Sequence, residues 1–273
     1  MAAVLELKAR LDALLSTAQR ETTDIDLFAP IPKREECPIC MITLPIIKHG
    51  ALFHTCCGKT ICDGCAHKSL MTEIENNGAL AWDRHVCAFC RQKTEKSANK
   101  CIKLLRKQMK KNNPEAFIHI ADRHKKGDGV IQSNTKALEM YVCAAELGHA
   151  DAFVCIGHVY NDGMVVEQDR SKTREYYELA AKRGSLDAHQ ELSFSHDING
   201  NTTECIKHLK VTASAGHQKA MDMLMNLYKQ KLLSKEDLAQ TLRDFQSSNN
   251  EMKSKDRDEA RAFFAAAERA RAR

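Results

Sequence analysis

The chain has 273 residues, of which 28% are charged, with a mean hydropathy of −0.44 and a formal net charge of +5. It is long enough for one or two domains with a sizeable core. No run of about 18 apolar residues occurs, and Glu6 and Asp12 interrupt the apolar pattern of the N-terminus, which argues against a membrane span and a signal peptide and leaves a soluble cytoplasmic or nuclear protein as the expectation.

In residues 1–34, Val4, Leu7, Leu11 and Leu14 alternate at spacings of three and four, the stripe of an amphipathic helix. Two heptads are too few for an independent coiled coil. The stripe is expected to pack on the module that follows or to help form a homodimer. Pro30 and Pro32 then turn the chain out of the helix.

Twelve cysteines in a reducing compartment point to metal before disulfides. Eight fall within residues 35–93: Cys37-x2-Cys40, the doublet Cys56-Cys57, Cys62-x2-Cys65 and Cys87-x2-Cys90. A Cys-x2-Cys knuckle turns two thiolates toward one tetrahedral ion. Three knuckles and a doublet supply enough for two closed zinc sites, which stabilise a small fold but leave no open position for chemistry. Cys57 is followed at two residues by Lys59, which is no ligand when protonated. The second site is therefore completed by Cys56 with Cys57, Gly58 making the required bend cheap, or by His54 with Cys57; the doublet is favoured. His49, His67 and His85 read as solvated loop histidines, and Cys101, Cys143, Cys155 and Cys205 as small buried hydrophobes.

Residues 91–111 carry nine Lys or Arg against one Glu. Cys101, Leu104, Leu105 and Met109 fall on one helical face, so residues 94–112 read as a basic connector helix. The stripe lacks interleaved aromatics for base stacking, which argues against nucleic-acid binding.

From residue 113 to 248 the chain repeats. Ala116, Ala152, Ala188 and Ala220 recur at spacings of 36, 36 and 32, and Gly148, Gly184 and Gly216 close the second helix of three units. This period marks an α-solenoid of helix pairs. Ala137, Met140, Tyr141, Ala144 and Ala145 form the packing face of one second helix; Thr173, Tyr176, Tyr177, Ala180 and Ala181 repeat it. Ser234 starts a further helix, and residues 249–273 read as a charged C-terminal helix that frays.

The pieces "CPIC" (37–40), "CGKTICDGC" (57–65) and "CAFCR" (87–91) resemble a RING finger. That resemblance implies a cross-braced pair of sites, with Cys37, Cys40, Cys62 and Cys65 on the first Zn2+. Cys87 and Cys90 hold the second, with two ligands from residues 54–59. It further implies a ubiquitin ligase that recruits a ubiquitin-conjugating enzyme through Ile39 and clamps ubiquitin with Arg91; Trp82 reads either as a lining of the docking groove or as a buried packing aromatic. Such a ligase orients nucleophile and thioester rather than reacting itself. Ala88 stands where that family usually has proline. The phrases "GDGV…ALEMYVCAAELGH" and "NDGMVV…REYYELAAKRGS" resemble Sel-one-like repeats of the tetratricopeptide type, and the combination is similar to an expanded algal family. The expected fold is a small zinc-stabilised α+β RING-like module followed by an all-α helical-repeat solenoid. The expected function is a RING-type ubiquitin ligase whose repeats bind a protein substrate; the alternative is a non-catalytic adaptor.

Overall fold

The computed structural model describes residues 2–32, 34–45, 50–77, 86–94 and 97–271. An N-terminal helix, α1 (Ala2–Glu21), precedes the cysteine-rich module. That module contains the strands β1 (Ala51–His54) and β2 (Lys59–Cys62) and the helix α2 (Asp63–Asn77). The connector α3 (Ala98–Met109) leads into four helix pairs. These are α4 (Pro114–Lys126) with α5 (Asn134–Glu146), α6 (Ala150–Asp162) with α7 (Arg170–Lys182), α8 (Leu186–Ile198) with α9 (Thr202–Ser214), and α10 (Gln218–Lys229) with α11 (Lys235–Met252). A last helix, α12 (Lys255–Arg271), ends the described chain.

Local sequence accounts for most of the helix boundaries. The side chains of Asn113, Ser133, Asp169, Ser185 and Ser234 each accept a hydrogen bond from a backbone N–H in the first turn of the helix they precede, satisfying donors the helix leaves open. Gly148, Gly184 and Gly216 all take left-handed φ values, at 86°, 88° and 101°, just past α5, α7 and α9. Between helices the small residues set the spacing. Ala116, Ala152 and Ala188 are fully buried, and Tyr176, fully buried in the same core as Ala152 and Ala188, stacks on Tyr160 at 5.5 Å.

The N-terminal helix departs from expectation. Leu7, Leu11, Leu15 and Ala18 are buried against α5 and α7 of the solenoid, not against the cysteine-rich module. The Tyr176 hydroxyl donates to the Leu11 carbonyl at 2.9 Å, and Arg10–Glu146 and Lys172–Asp12 bridge the edges at 2.9 and 2.7 Å. The apolar stripe is thus covered within the chain. The periodicity marks a stripe but does not name its partner, and the large apolar faces of α5 and α7 compete for it more strongly than the small module can.

The connector helix is rotated from its expected face. Ile102, Leu105 and Gln108 are buried, while Leu104, Met109 and Cys101 are only half-buried, and the basic residues Lys103, Arg106 and Lys107 are exposed. Of the four single cysteines only Cys205 is buried; Cys101, Cys143 and Cys155 are half-buried, and Cys143 accepts a hydrogen bond from Arg10 at 3.7 Å. The C-terminal helix does not fray along its first half. It docks on α2, with Arg257 and Ala260 buried and Phe263 packed on His67 at 4.9 Å. Among the described residues no helix is long and apolar enough to cross a membrane.

Candidate metal centres

Two knuckles share one backbone design. In the first, the Met41 N–H donates to the Cys37 carbonyl at 2.9 Å and the Cys37 N–H to the Ile42 carbonyl at 3.0 Å; in the second, Arg91 to Cys87 and Cys87 to Gln92 match them at 2.9 and 2.8 Å. Met41 and Arg91 both take left-handed φ values, at 58° and 61°. Single antiparallel bridges, Glu36 with Thr43 and Val86 with Lys93, close each loop. The repeated conformation aims the two thiols of each knuckle at the same side.

The doublet sits in the turn of a hairpin. Strands β1 and β2 pair antiparallel with His54 opposite Lys59, so residues 55–58 form the loop. The Cys57 and Gly58 N–H groups both donate to the His54 carbonyl, at 3.2 and 2.8 Å, and Gly58 has φ 69°. In an extended strand neighbouring side chains point apart. The turn removes that constraint and brings Cys56 and Cys57 to one side.

Eight cysteines accordingly gather into two sets: Cys37, Cys40, Cys62 and Cys65, and Cys56, Cys57, Cys87 and Cys90, with all four sulfurs of each set within 4.8 Å of one another. Because alternate pieces of sequence share a set, the two are cross-braced. His54 belongs to neither. Sulfur pairs lie 3.9 Å apart for Cys37–Cys65, 3.8 Å for Cys40–Cys62 and Cys57–Cys87, and 3.4 Å for Cys56–Cys90. A tetrahedral ion with metal–sulfur bonds of about 2.3 Å spans an edge of about 3.8 Å, so each set could hold one four-coordinate ion. All eight cysteines are free thiols.

The electrostatics favour a cation in each set. Burial pushes the thiols of Cys56 and Cys65 far up, and neighbouring sulfurs add to the effect. Cys57 is raised to about 11 by burial and Cys87, with the Lys59 amide opposing. Cys37 differs: burial raises it, but the amides of Cys40, Cys62 and Ile39 outweigh this and bring it down to about 7. Crowded, partly desolvated thiols of this kind ionise together only with a positive charge among them.

Each set is also gripped by a helix from elsewhere in the chain. Gln108 of α3 is buried and donates to the carbonyls of Cys56 and Thr55 at 3.1 and 3.4 Å, while Asn113 donates to the Gly58 carbonyl at 3.0 Å. Arg257 of α12, only 6% exposed, donates to the carbonyls of Thr43, Met252 and Ile42 at 2.7, 2.8 and 3.1 Å and lies 3.9 Å from the Cys40 sulfur. None of these three stood out in the sequence. A glutamine and an arginine inside charged helices look like solvated side chains, and no local spacing marks them otherwise.

Other sequence-derived residues are placed as follows. Ile39 is exposed at 41%, and Phe89, at the matching position of the other knuckle, at 45%. Arg91 is exposed. Trp82, His49 and His85 lie outside the described residues. His67 is not a loop histidine: it lies on α2 at 9% exposure, between Phe263 and Phe264. The docking of α12 buries it.

Fold and site together define a two-part protein, a cysteine-rich module mounted on a helix-pair solenoid. Within the solenoid, residues 114–149 and 154–185 match the Sel1 repeat family. Among solved structures, a Sel1 repeat protein from Oxalobacter formigenes is similar at 22% identity and a TM-score of 0.46, covering 70% of this chain and 69% of its own. A protective antigen of uropathogenic Escherichia coli displaying an SLR fold is similar at 20% identity and a TM-score of 0.46, covering 67% of this chain and 37% of its own. No curated protein gives a significant match.

Proposed function

We propose that this chain is a protein–protein interaction scaffold, in which two zinc ions stabilise a small module docked on a Sel1-type repeat array that carries the partner surface. The observation that carries the reading is the match of residues 114–149 and 154–185 to the Sel1 repeat family, beside two sets of four cysteine sulfurs, each enough to fill the coordination of one tetrahedral ion. Tetrathiolate donors at these separations suit zinc among available divalent ions. On the repeats, Ile131 and Met164 stand exposed in the loops after α4 and α6, and Met223, Met225 and Tyr228 along α10, the mix of side chains that protein interfaces favour.

A second reading, a RING-type ubiquitin ligase, is favoured by one observation. Ile39 and Phe89 project from equivalent positions of the two knuckles, with Arg91 following the second. They would dock a ubiquitin-conjugating enzyme, while the repeats hold a protein substrate.

Ubiquitin transfer by the zinc-loaded full-length protein, across a panel of conjugating enzymes, separates the two. The scaffold reading expects two zinc ions per chain and no ubiquitin chain growth. Growth that disappears in Ile39→Ala and Arg91→Ala, with both ions retained, would replace it with the ligase.

A further inference from the structure

Helix α12 approaches the cysteine-rich module more closely than surface packing requires. A Cβ added at Gly64, in the first turn of α2, would lie 2.8 Å from the Arg257 nitrogen and 3.0 Å from the Asp256 carbonyl carbon. Glycine at this position lets the two backbones touch. Around that contact Lys68 pairs with Asp256 at 3.1 Å and His67 packs on Phe263. Arg257 enters the space so formed and ends beside the first cysteine set.

The partners of Arg257 are unusual for a buried cation. Its guanidinium donates to three backbone carbonyls and lies near the Cys40 sulfur, with no carboxylate among its partners in the described residues. A buried charge without an opposite charge is strongly destabilising. Four thiolates around a divalent ion carry net negative charge, and the first set lies within reach to supply it. Among the described residues the side chains that hold the loop of the second set, Gln108 and Asn113, are both neutral. The same guanidinium donates to the carbonyls of Ile42 and Thr43, so it also fixes the loop that carries Cys40.

We propose that Arg257 couples metal retention at Cys37, Cys40, Cys62 and Cys65 to the docking of α12, making the C-terminal helix a latch that stays closed only while that set is loaded. The inference rests on the zinc reading above. When the ion leaves, Arg257 loses its counter-charge and α12 releases the face of α2 that carries His67. When α12 is displaced, the Cys40 loop loses its clamp and the ion leaves faster.

The test uses full-length zinc-loaded protein in limiting chelator, with cysteine alkylation followed residue by residue and amide exchange followed over residues 255–271. Outer contacts to metal ligands are typically worth about 10- to 100-fold in affinity. In Arg257→Met, Cys37, Cys40, Cys62 and Cys65 are expected to alkylate about 10- to 100-fold faster than in the parent, while Cys56, Cys57, Cys87 and Cys90 keep their rate. In the unsubstituted protein, α12 is expected to lose exchange protection in step with alkylation of the first set. Uniform acceleration of both sets, unchanged rates, or an α12 that stays protected after the first set is emptied would each overturn the latch. If Arg257→Met does not fold, the exchange experiment on the unsubstituted protein decides alone. Failure to bind zinc at all would instead remove the zinc reading, a result seen directly in the metal content of the starting protein.

Discussion

Replacing Leu11 by alanine tests whether the N-terminal helix is an integral layer of the solenoid. Leu11 is fully buried, its carbonyl accepts the hydroxyl of the equally buried Tyr176, and it lies midway between Leu7 and Leu15 on the docked face. Leu→Ala at such sites costs about 2–5 kcal/mol. The flanking ion pairs at Arg10 and Asp12 are surface-exposed on at least one side and contribute less than about 1 kcal/mol each, so they do not compensate. A loss near 3 kcal/mol corresponds to an opening equilibrium shifted by roughly 150-fold, since each 1.4 kcal/mol is tenfold. Repeat arrays unfold locally, so the effect is read locally rather than from one melting temperature. Amide exchange over residues 2–21 should accelerate by about that factor in Leu11→Ala, with smaller changes in α5 and α7 and none in α2. Leu5→Ala is the control, because Leu5 is 66% exposed and surface changes usually stay within about 0.5 kcal/mol. Equal exchange in Leu11→Ala and the parent, or equal effects of the two substitutions, would refute the docked helix.

Gln108→Leu removes the donor from the half-buried Cys56 and Thr55 carbonyls and should destabilise the hairpin turn by about 0.5–1.5 kcal/mol; faster alkylation confined to Cys56, Cys57, Cys87 and Cys90 checks it. His189 and His208 are both 1% exposed with their Nδ1 atoms 2.9 Å apart, and burial lowers them to about 4 and about 3. Their contribution is present above the unfolded histidine pKa near 6.5 and fades as pH falls toward 4, by up to about 3 kcal/mol for His189 alone at 1.4 kcal/mol per unit. Urea midpoints read over α8 and α9 should fall across that range, and less steeply in His208→Phe. The Glu115–His149 pair, 2.8 Å apart, acts at both ends of the range. Burial opposes the charged form of each; His119 and His149 together outweigh it at Glu115 and depress that carboxyl, while Glu115 outweighs it at His149 and raises that imidazole. The contact between α4 and α6 should therefore weaken as pH rises through the raised His149 value and as it falls through the depressed Glu115 value; exchange in the α6 first turn, compared with Glu115→Gln, reports it.

Some of this was legible in the amino-acid sequence and some was not, for a physical reason. The Cys-x2-Cys spacings, the alanines at positions 116, 152 and 188 and the glycines that end α5, α7 and α9 are local signals, because turn geometry and helix packing constrain residues a few positions apart. Cys56-Cys57 was readable as a pair because Gly58 permits the turn that the hairpin then supplies. Where α1 and α12 dock was not readable, since an amphipathic stripe names no partner. Arg257 stayed hidden for the same reason: its role depends on Gly64 and Cys40, brought to it only by the tertiary fold. His67 was misread because a histidine beside a lysine, Lys68, looks solvated until a second helix covers it.

The cysteine-rich module is held at several points along its circumference. Arg34, just before it, donates to Ser248 at 2.9 Å; Gln108 and Asn113 hold the hairpin turn; Phe53 stacks on His119 of α4 at 4.7 Å; and α12 covers α2. These contacts oppose swivelling of the module on the repeats. Two ligands, one on a knuckle face and one on the repeats, would sit at a separation fixed by the protein, whereas a flexible linker would let that distance vary. Effective concentration is then large for a pair of sites whose spacing matches and close to zero for one that does not. The molecule would work as a ruler, selecting assemblies by the distance between two epitopes as well as by their chemistry.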